Sequence, residues 1–305
     1  MNEKSIFHIQ NDEFILRCLR TQSQMYSKAK KYNIYEAVLT FILPVCAVFI
    51  NLINILREYS DYINCMAFLF IVITYFIANK SIQMKTQAAM IQQYIDSSLY
   101  NRVLMDDKNV FKISDLNKNN IALLIAKYGN DDTDDFRNWY ADYSMFPAEM
   151  QIFYCQKDNI YWDGWLRKKL YVAIAIGMFL ALALLLLISC YYSMYLINLL
   201  NICSAIAVFR FIWPVFMKLH KDVSRMDEIG DYIKHIEMQL QNNNVNDLLV
   251  ELTMLQVKIM EHRKNAVLVP DFIHKIFKSK IQEDIERRIK FNKLMSDFEN
   301  NQISK

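Results

Sequence analysis

Residues 170–191 read LYVAIAIGMFLALALLLLISCY, without a single charged side chain. At 1.5 Å per helical residue, this run is long enough to cross a hydrocarbon core of about 30 Å. A second apolar run, 194–217, follows after the connector 192–193 and carries one charge, Arg210. An earlier pair repeats the arrangement, with runs at 35–56 and 62–79 joined by 57–61. A bilayer satisfies no backbone hydrogen bonds, so helices and closed barrels are the only spanning structures. The expected fold is an all-α membrane protein with two transmembrane helical hairpins, at 34–79 and 170–217. A cytoplasmic amphipathic entry helix (1–33), a helical cytoplasmic insert (80–169) and a cytoplasmic helical C-terminal domain (218–305) complete the organisation.

Charge gives the hairpins a direction. Lys28, Lys30 and Lys31 precede the first run, and Lys80 and Lys85 follow the second. Arg167, Lys168 and Lys169 precede the third, and Lys218, Lys221 and Arg225 follow the fourth. The two connectors hold one basic residue, Arg57. By the positive-inside rule, both termini and the insert are expected in the cytoplasm and both hairpin tips outside. Residues 1–33 are polar and do not read as a cleavable signal peptide.

Composition narrows the rest. The net charge of +3 makes no case for DNA or RNA as a partner. Only four Gly and four Pro occur in 305 residues, so long helices are favoured over turn-rich sheets. Gly129, Gly164, Gly177 and Gly230 are too far apart for a GxGxxG or Walker A phosphate loop. The five His form no HExxH motif, and no GxSxG elbow is present. No catalytic, cofactor or metal site is therefore expected, and the chain reads as a non-enzyme. The six Cys lack CxxC spacing and read as small buried hydrophobes in a reducing compartment. Asp131, Asp132, Asp134 and Asp135 read as a solvated loop rather than a calcium loop, because the EF-hand Gly and Glu are missing.

The polar parts carry helical periodicity. Ile15, Leu19, Gln22 and Tyr26 share one face, suited either to the membrane interface or to packing on other cytoplasmic helices. Met84, Ala88, Ile91, Ile95 and Leu99 continue the second run into the cytoplasm. Met226, Ile229, Ile233, Ile236 and Leu240 form a heptad seam after the fourth run. Leu248, Leu252, Leu255 and Ile259 mark a second helix, with 242–244 as the turn between them. That seam fits an intramolecular helical hairpin or an intermolecular coiled coil. A third helix is expected after Pro270.

Within the apolar runs, Asn51, Asn54, Asn198, Asn201, Ser204 and Arg210 are the candidate pore-lining residues. Polar groups at membrane depth face protein or water. The Asn side chains fit either a polar path or interhelical hydrogen bonds. Arg210 fits either a snorkelling position or an oligomeric water-filled centre that favours anions. Pro44 and Pro214 are expected to kink their helices.

Before the third run, residues 138–144 read NWYADYS, followed by Phe146-Pro147, Cys155-Gln156, Asn159, Trp162-Asp163 and LRKK at 166–169. RTQSQMYSKAK at 20–30, YIDSSLY at 94–100, HRKN at 262–265 and VPDFIH at 269–274 complete an ordered set. The set resembles the S-4TM family, four-transmembrane effectors associated with bacterial second-messenger nucleotide synthetases. One departure is Tyr94-Ile95, where the family pattern has Phe ahead of Asp96. The resemblance implies an inner-membrane effector of anti-phage defence that oligomerises and forms a pore, causing growth arrest or death. It implies a cyclic oligonucleotide from a partner synthetase as the activating ligand, with the lipid bilayer and further copies of the chain as partners. Trp139, Asp142, Cys155, Gln156, Asn159, Trp162, Asp163 and Arg167 are the candidate sensing and coupling residues. Arg137, Lys157, Arg167 and Lys168 are candidate phosphate contacts, although the latter two read better as topology determinants. The alternative is a membrane-anchored signalling or scaffold protein whose spans only tether cytoplasmic helices. A small transporter and a lipid- or nucleotide-directed enzyme have weaker support, lacking an inverted repeat and a catalytic constellation.

Overall fold

The computed structural model describes residues 5–52, 60–105, 110–111, 118–130, 134–191, 205–241 and 247–273, with single residues and pairs between 276 and 291. Among the described residues there is no strand. The helices are α1 (Ile6–Ile9), α2 (Glu13–Leu52), α3 (Ser60–Leu104), α4 (Lys118–Tyr128), α5 (Ala148–Tyr191), α6 (Ala205–Gln241) and α7 (Leu248–Asn265), with a 3₁₀ turn at Asp134–Phe136.

Four of these helices are long. At 45 residues, α3 extends roughly 65 Å, more than twice the depth of a hydrocarbon core. Each long helix joins the described part of one apolar run to a polar, periodic stretch without a break, so α2 contains most of the amphipathic leading segment and the first run as far as Leu52. α6 passes through Pro214, which removes one backbone donor without ending the helix.

Helical spacing in the sequence sets the core. Ile15, Leu16, Leu19 and Met25 of α2 pack with Ile91, Ile95 and Leu99 of α3. Ile152 and Phe153 of α5 join them, as do Met226, Ile229, Ile233 and Ile236 of α6 and Leu252, Leu255 and Ile259 of α7. The face carrying Ile15 and Leu19 thus lies in a protein core, not on a membrane surface. The heptad seam of α6 is also buried within the chain, which favours the intramolecular hairpin over a coiled coil between copies. α2 packs along α3 and α5 along α6, while α7 contacts α3, α5 and α6. Asp247 starts α7 by accepting a hydrogen bond from the Val250 N–H.

Farther along α5, Val172, Ile176, Phe179, Leu180, Leu184 and Leu187 are exposed, with Phe179 at 70% and Leu187 at 68%. Among the described residues no helix is long and apolar enough to cross a membrane. The side chains of Leu185, Ile188 and Ser189, which complete the run in α5, lie outside the description.

α4 is held against α2 at Gly129. A Cβ there would come within 2.8 Å of the Ile125 carbonyl oxygen and 2.9 Å of Thr21 Oγ1. Gly129→Ala is therefore expected to push α4 from α2 and destabilise the fold by about 1–3 kcal/mol. Thermal unfolding of the detergent-solubilised protein measures it, and an unchanged Tm would refute the close packing.

Candidate functional site

Gln156, Asn159, Asp163 and Arg167 step along α5 by three, four and four residues, so they share one face of the helix. That face meets α3, α6 and α7 and carries two buried polar clusters.

The first cluster surrounds Asp96 of α3, which is fully buried. Arg263 Nη1 donates to Asp96 Oδ2 at 2.5 Å, and Gln256 Nε2 donates to the same oxygen at 3.1 Å. Tyr140 Oη donates to Asp96 Oδ1 at 2.5 Å. Gln256 also donates to Gln93 Oε1 and accepts from Gln156 Nε2 at 2.9 Å. Asn159 Nδ2 donates to Tyr140 Oη at 3.4 Å. Tyr140 is itself fixed by Gln10, whose Oε1 accepts its N–H and whose Nε2 donates to its carbonyl. Burial, then the neighbouring Asp96 charge, pushes the Tyr140 phenol well above its ordinary range. Burial opposes the charge on Arg263, but the Asp96 carboxylate outweighs it and holds the guanidinium protonated.

The second cluster surrounds Arg167, whose side chain is 8% exposed. Its Nε donates to Asp163 Oδ2 at 2.9 Å. Its Nη1 donates to Asp222 Oδ2 of α6 at 3.2 Å and to the Val267 carbonyl at 2.6 Å. The Val267 N–H returns to Asp222 Oδ2 at 2.6 Å. His262 Nε2 lies 2.9 Å from Asp163 Oδ2. Burial alone would raise the Asp163 carboxyl, but the Arg167 charge and the His262 contact hold it below the usual carboxylate range. His262 Nδ1 and Gln156 Oε1 are buried with no hydrogen-bond partner among the described residues.

The other expected residues have different surroundings. Trp139 is 47% exposed and stacks on Phe136, and Asp142 accepts the Ser144 N–H in a local turn. Cys155 is buried in the core, where desolvation pushes its thiol well up. Trp162 is half-buried with its ring edge-on to Tyr161. The candidate phosphate contacts all have acidic partners: Arg137 with Asp134, Lys157 with Glu237, Lys168 with Asp227, and Arg167 with Asp163 and Asp222. Asn54, Asn198, Asn201 and Ser204 lie outside the described residues. Asn51 and Arg210 fall in α2 and α6, with side chains outside the description.

Asp96, Tyr140, Gln256, His262 and Asp222 were not singled out by sequence reasoning, although 94–100, 138–144 and 262–265 carry three of them within the ordered motifs. Their signal was a polar residue embedded in an apolar helical stripe, such as Gln256 between Leu252, Leu255 and Ile259.

The motif residues on α5 therefore meet those that follow the second apolar run, Tyr140 ahead of α5 and those of the C-terminal segment in two buried clusters. The whole ordered set can be compared with known families on that basis. Residues 4–291 match the model of the SMODS-associating 4TM effector domain. The chain belongs to this family. No curated protein and no solved structure matches it. Membership in the SMODS-associating 4TM effector family makes the chain a transmembrane effector associated with nucleotide synthetases. The match spans both hairpin regions and the residues of both buried clusters.

Proposed function

We propose that the chain is an inner-membrane effector of nucleotide-signalled anti-phage defence, with four spans and both termini in the cytoplasm. A cyclic oligonucleotide from a partner synthetase activates it. Several copies then assemble and permeabilise the membrane, arresting growth, without an enzymatic step. The observation that carries this reading is the continuity of α3, α5 and α6 from the charged network into the apolar runs. Helices of this length transmit a rearrangement at Asp96 or Arg167 toward the bilayer as rods. The exposed apolar flank of α5 from Val172 to Leu187 supports a lipid environment, since soluble surfaces avoid apolar patches of that extent.

Four spans per chain enclose no wide pore, so an oligomer is required. Asn51, Asn54, Asn198, Asn201, Ser204 and Arg210 are assigned to its lining. The signal opens the pore only by binding the open state better than the closed one.

Membrane-potential dye imaging tests the reading in cells expressing the chain with and without its cognate synthetase. Depolarisation confined to co-expressing cells after infection is expected. Unchanged polarisation in both, with the protein present in the membrane fraction, would leave the tethered-scaffold alternative standing. Replacing Arg210 with Gln and Asn201 with Leu should alter the depolarisation rate, and an unchanged rate would remove them from the lining.

A further inference from the structure

Beyond α7 the chain turns extended at Ala266 and begins a new helical turn at Asp271. This short strap, 266–271, is bonded to every long helix that carries an apolar run. The Ala266 carbonyl accepts from Lys85 Nζ of α3 at 3.0 Å. The Val267 carbonyl accepts from Arg167 of α5, and the Val267 N–H donates to Asp222 of α6. Asp271 pairs with Lys30 of α2. Each of the four attachment points lies within two helical turns of its apolar run. Val269 and Ile273 are 4% and 6% exposed, packed on Leu166, Leu170 and Leu219 where α5 and α6 approach those runs. Phe277 closes this small core edge-on to Trp165.

From this geometry we infer that the strap is an autoinhibitory latch, which holds the four spans in the closed packing and leaves its groove when the effector fires. This rests on the proposed membrane-permeabilising activity. Three features make the contact releasable. Residues 266–270 belong to no helix or sheet, so undocking breaks side-chain bonds to their backbone, the Lys30–Asp271 pair and a small apolar contact. Arg167 keeps Asp163 and Asp222 as partners when Val267 leaves, so no charge is orphaned at that point. Lys85 is partly buried against a neutral carbonyl, and its release returns an ammonium to water. Desolvation lowers its pKa in the docked form, in keeping with that cost.

Two measurements on the full-length protein in cells test the latch. Lys30→Cys/Asp271→Cys removes a partly exposed ion pair of small energetic weight and places thiols across the contact. A short, reducible bis-maleimide then reports strap docking, quantified by mass spectrometry of the 30–271 peptide. The crosslink yield should fall several-fold once the synthetase is activated by infection; an unchanged yield overturns the latch even if the chain never depolarises a cell. Crosslinking beforehand should suppress triggered depolarisation, and reduction should restore it. Depolarisation at the uncrosslinked rate in fully tethered protein also overturns the latch. Failure of the wild type to depolarise, with a falling yield, counts against the permeabilising activity and not against strap release. Val269→Asp/Ile273→Asp should undock the strap and depolarise cells without a trigger.

Discussion

Arg167→Met is expected to cost about 3–5 kcal/mol of folding free energy, the typical loss when one partner is removed from a buried ion pair. The side chain serves Asp163, Asp222 and the Val267 carbonyl together, so its loss orphans charge on two helices and frees the strap. Denaturant unfolding in detergent measures the loss, and a change below about 1 kcal/mol would place the cluster in the weak class of surface pairs. The pH dependence separates charge loss from lost packing. In the wild type the Asp163 carboxyl is held low, whereas unfolded Asp takes up its proton near pH 4. The unfolded chain therefore binds more protons below that pH, and this contribution to stability is lost as pH falls through the folded value. In Arg167→Met, burial acts on Asp163 with less opposition and moves its folded value upward. The variant's deficit should then shrink as pH falls from 7 toward 5. A deficit independent of pH would assign the loss to packing alone.

The sequence carried the helical class and the core faces because both rest on local periodicity. Ile91, Ile95 and Leu99 repeat at helical spacing, and burial follows that spacing directly. Gln156, Asn159, Asp163 and Arg167 were legible as a set on one face of α5, since three- and four-residue steps fix direction without any knowledge of neighbours. Their partners were not legible. Asp96 and Arg263 lie 167 residues apart, and many other basic residues would satisfy a buried carboxylate equally well on sequence grounds. The strap was hidden for a different reason. Residues 269–271 stood in the ordered set of motifs, but the contacts of 266 and 267 lie in backbone groups that every residue possesses. Trp139, Asp142 and Cys155 entered the candidate set through the same motifs, but the turn, the stacked ring and the core position that hold them are local matters. A recurring sequence pattern does not separate such roles from coupling.

The Asp96–Arg263 pair poses a sharper question than its stability. Asp96→Asn and Arg263→Met are each expected to cost about 3–5 kcal/mol, because each leaves the other partner charged and buried. The double variant should lose clearly less than the sum, with a coupling energy of about 0.5–3 kcal/mol. An Asn at 96 still accepts from Tyr140, and a Met at 263 fills apolar volume without a charge to satisfy. Additive losses in the cycle would mean that the two residues act through separate surroundings. A buried ion pair that a neutral pair replaces cheaply is not retained for stability, and the best-attested use of such pairs is to fix one arrangement among several. Asp96 joins α3 to Arg263 on α7 and to Tyr140 in the segment ahead of α5, three parts of the chain that have to shift together if a cytoplasmic signal is to reach the apolar runs. The double variant is therefore expected to fold, reach the membrane and fail to depolarise cells that carry an activated synthetase. A double variant that responds like the wild type would reduce the pair to a structural contact and move the coupling to Arg167 and the strap.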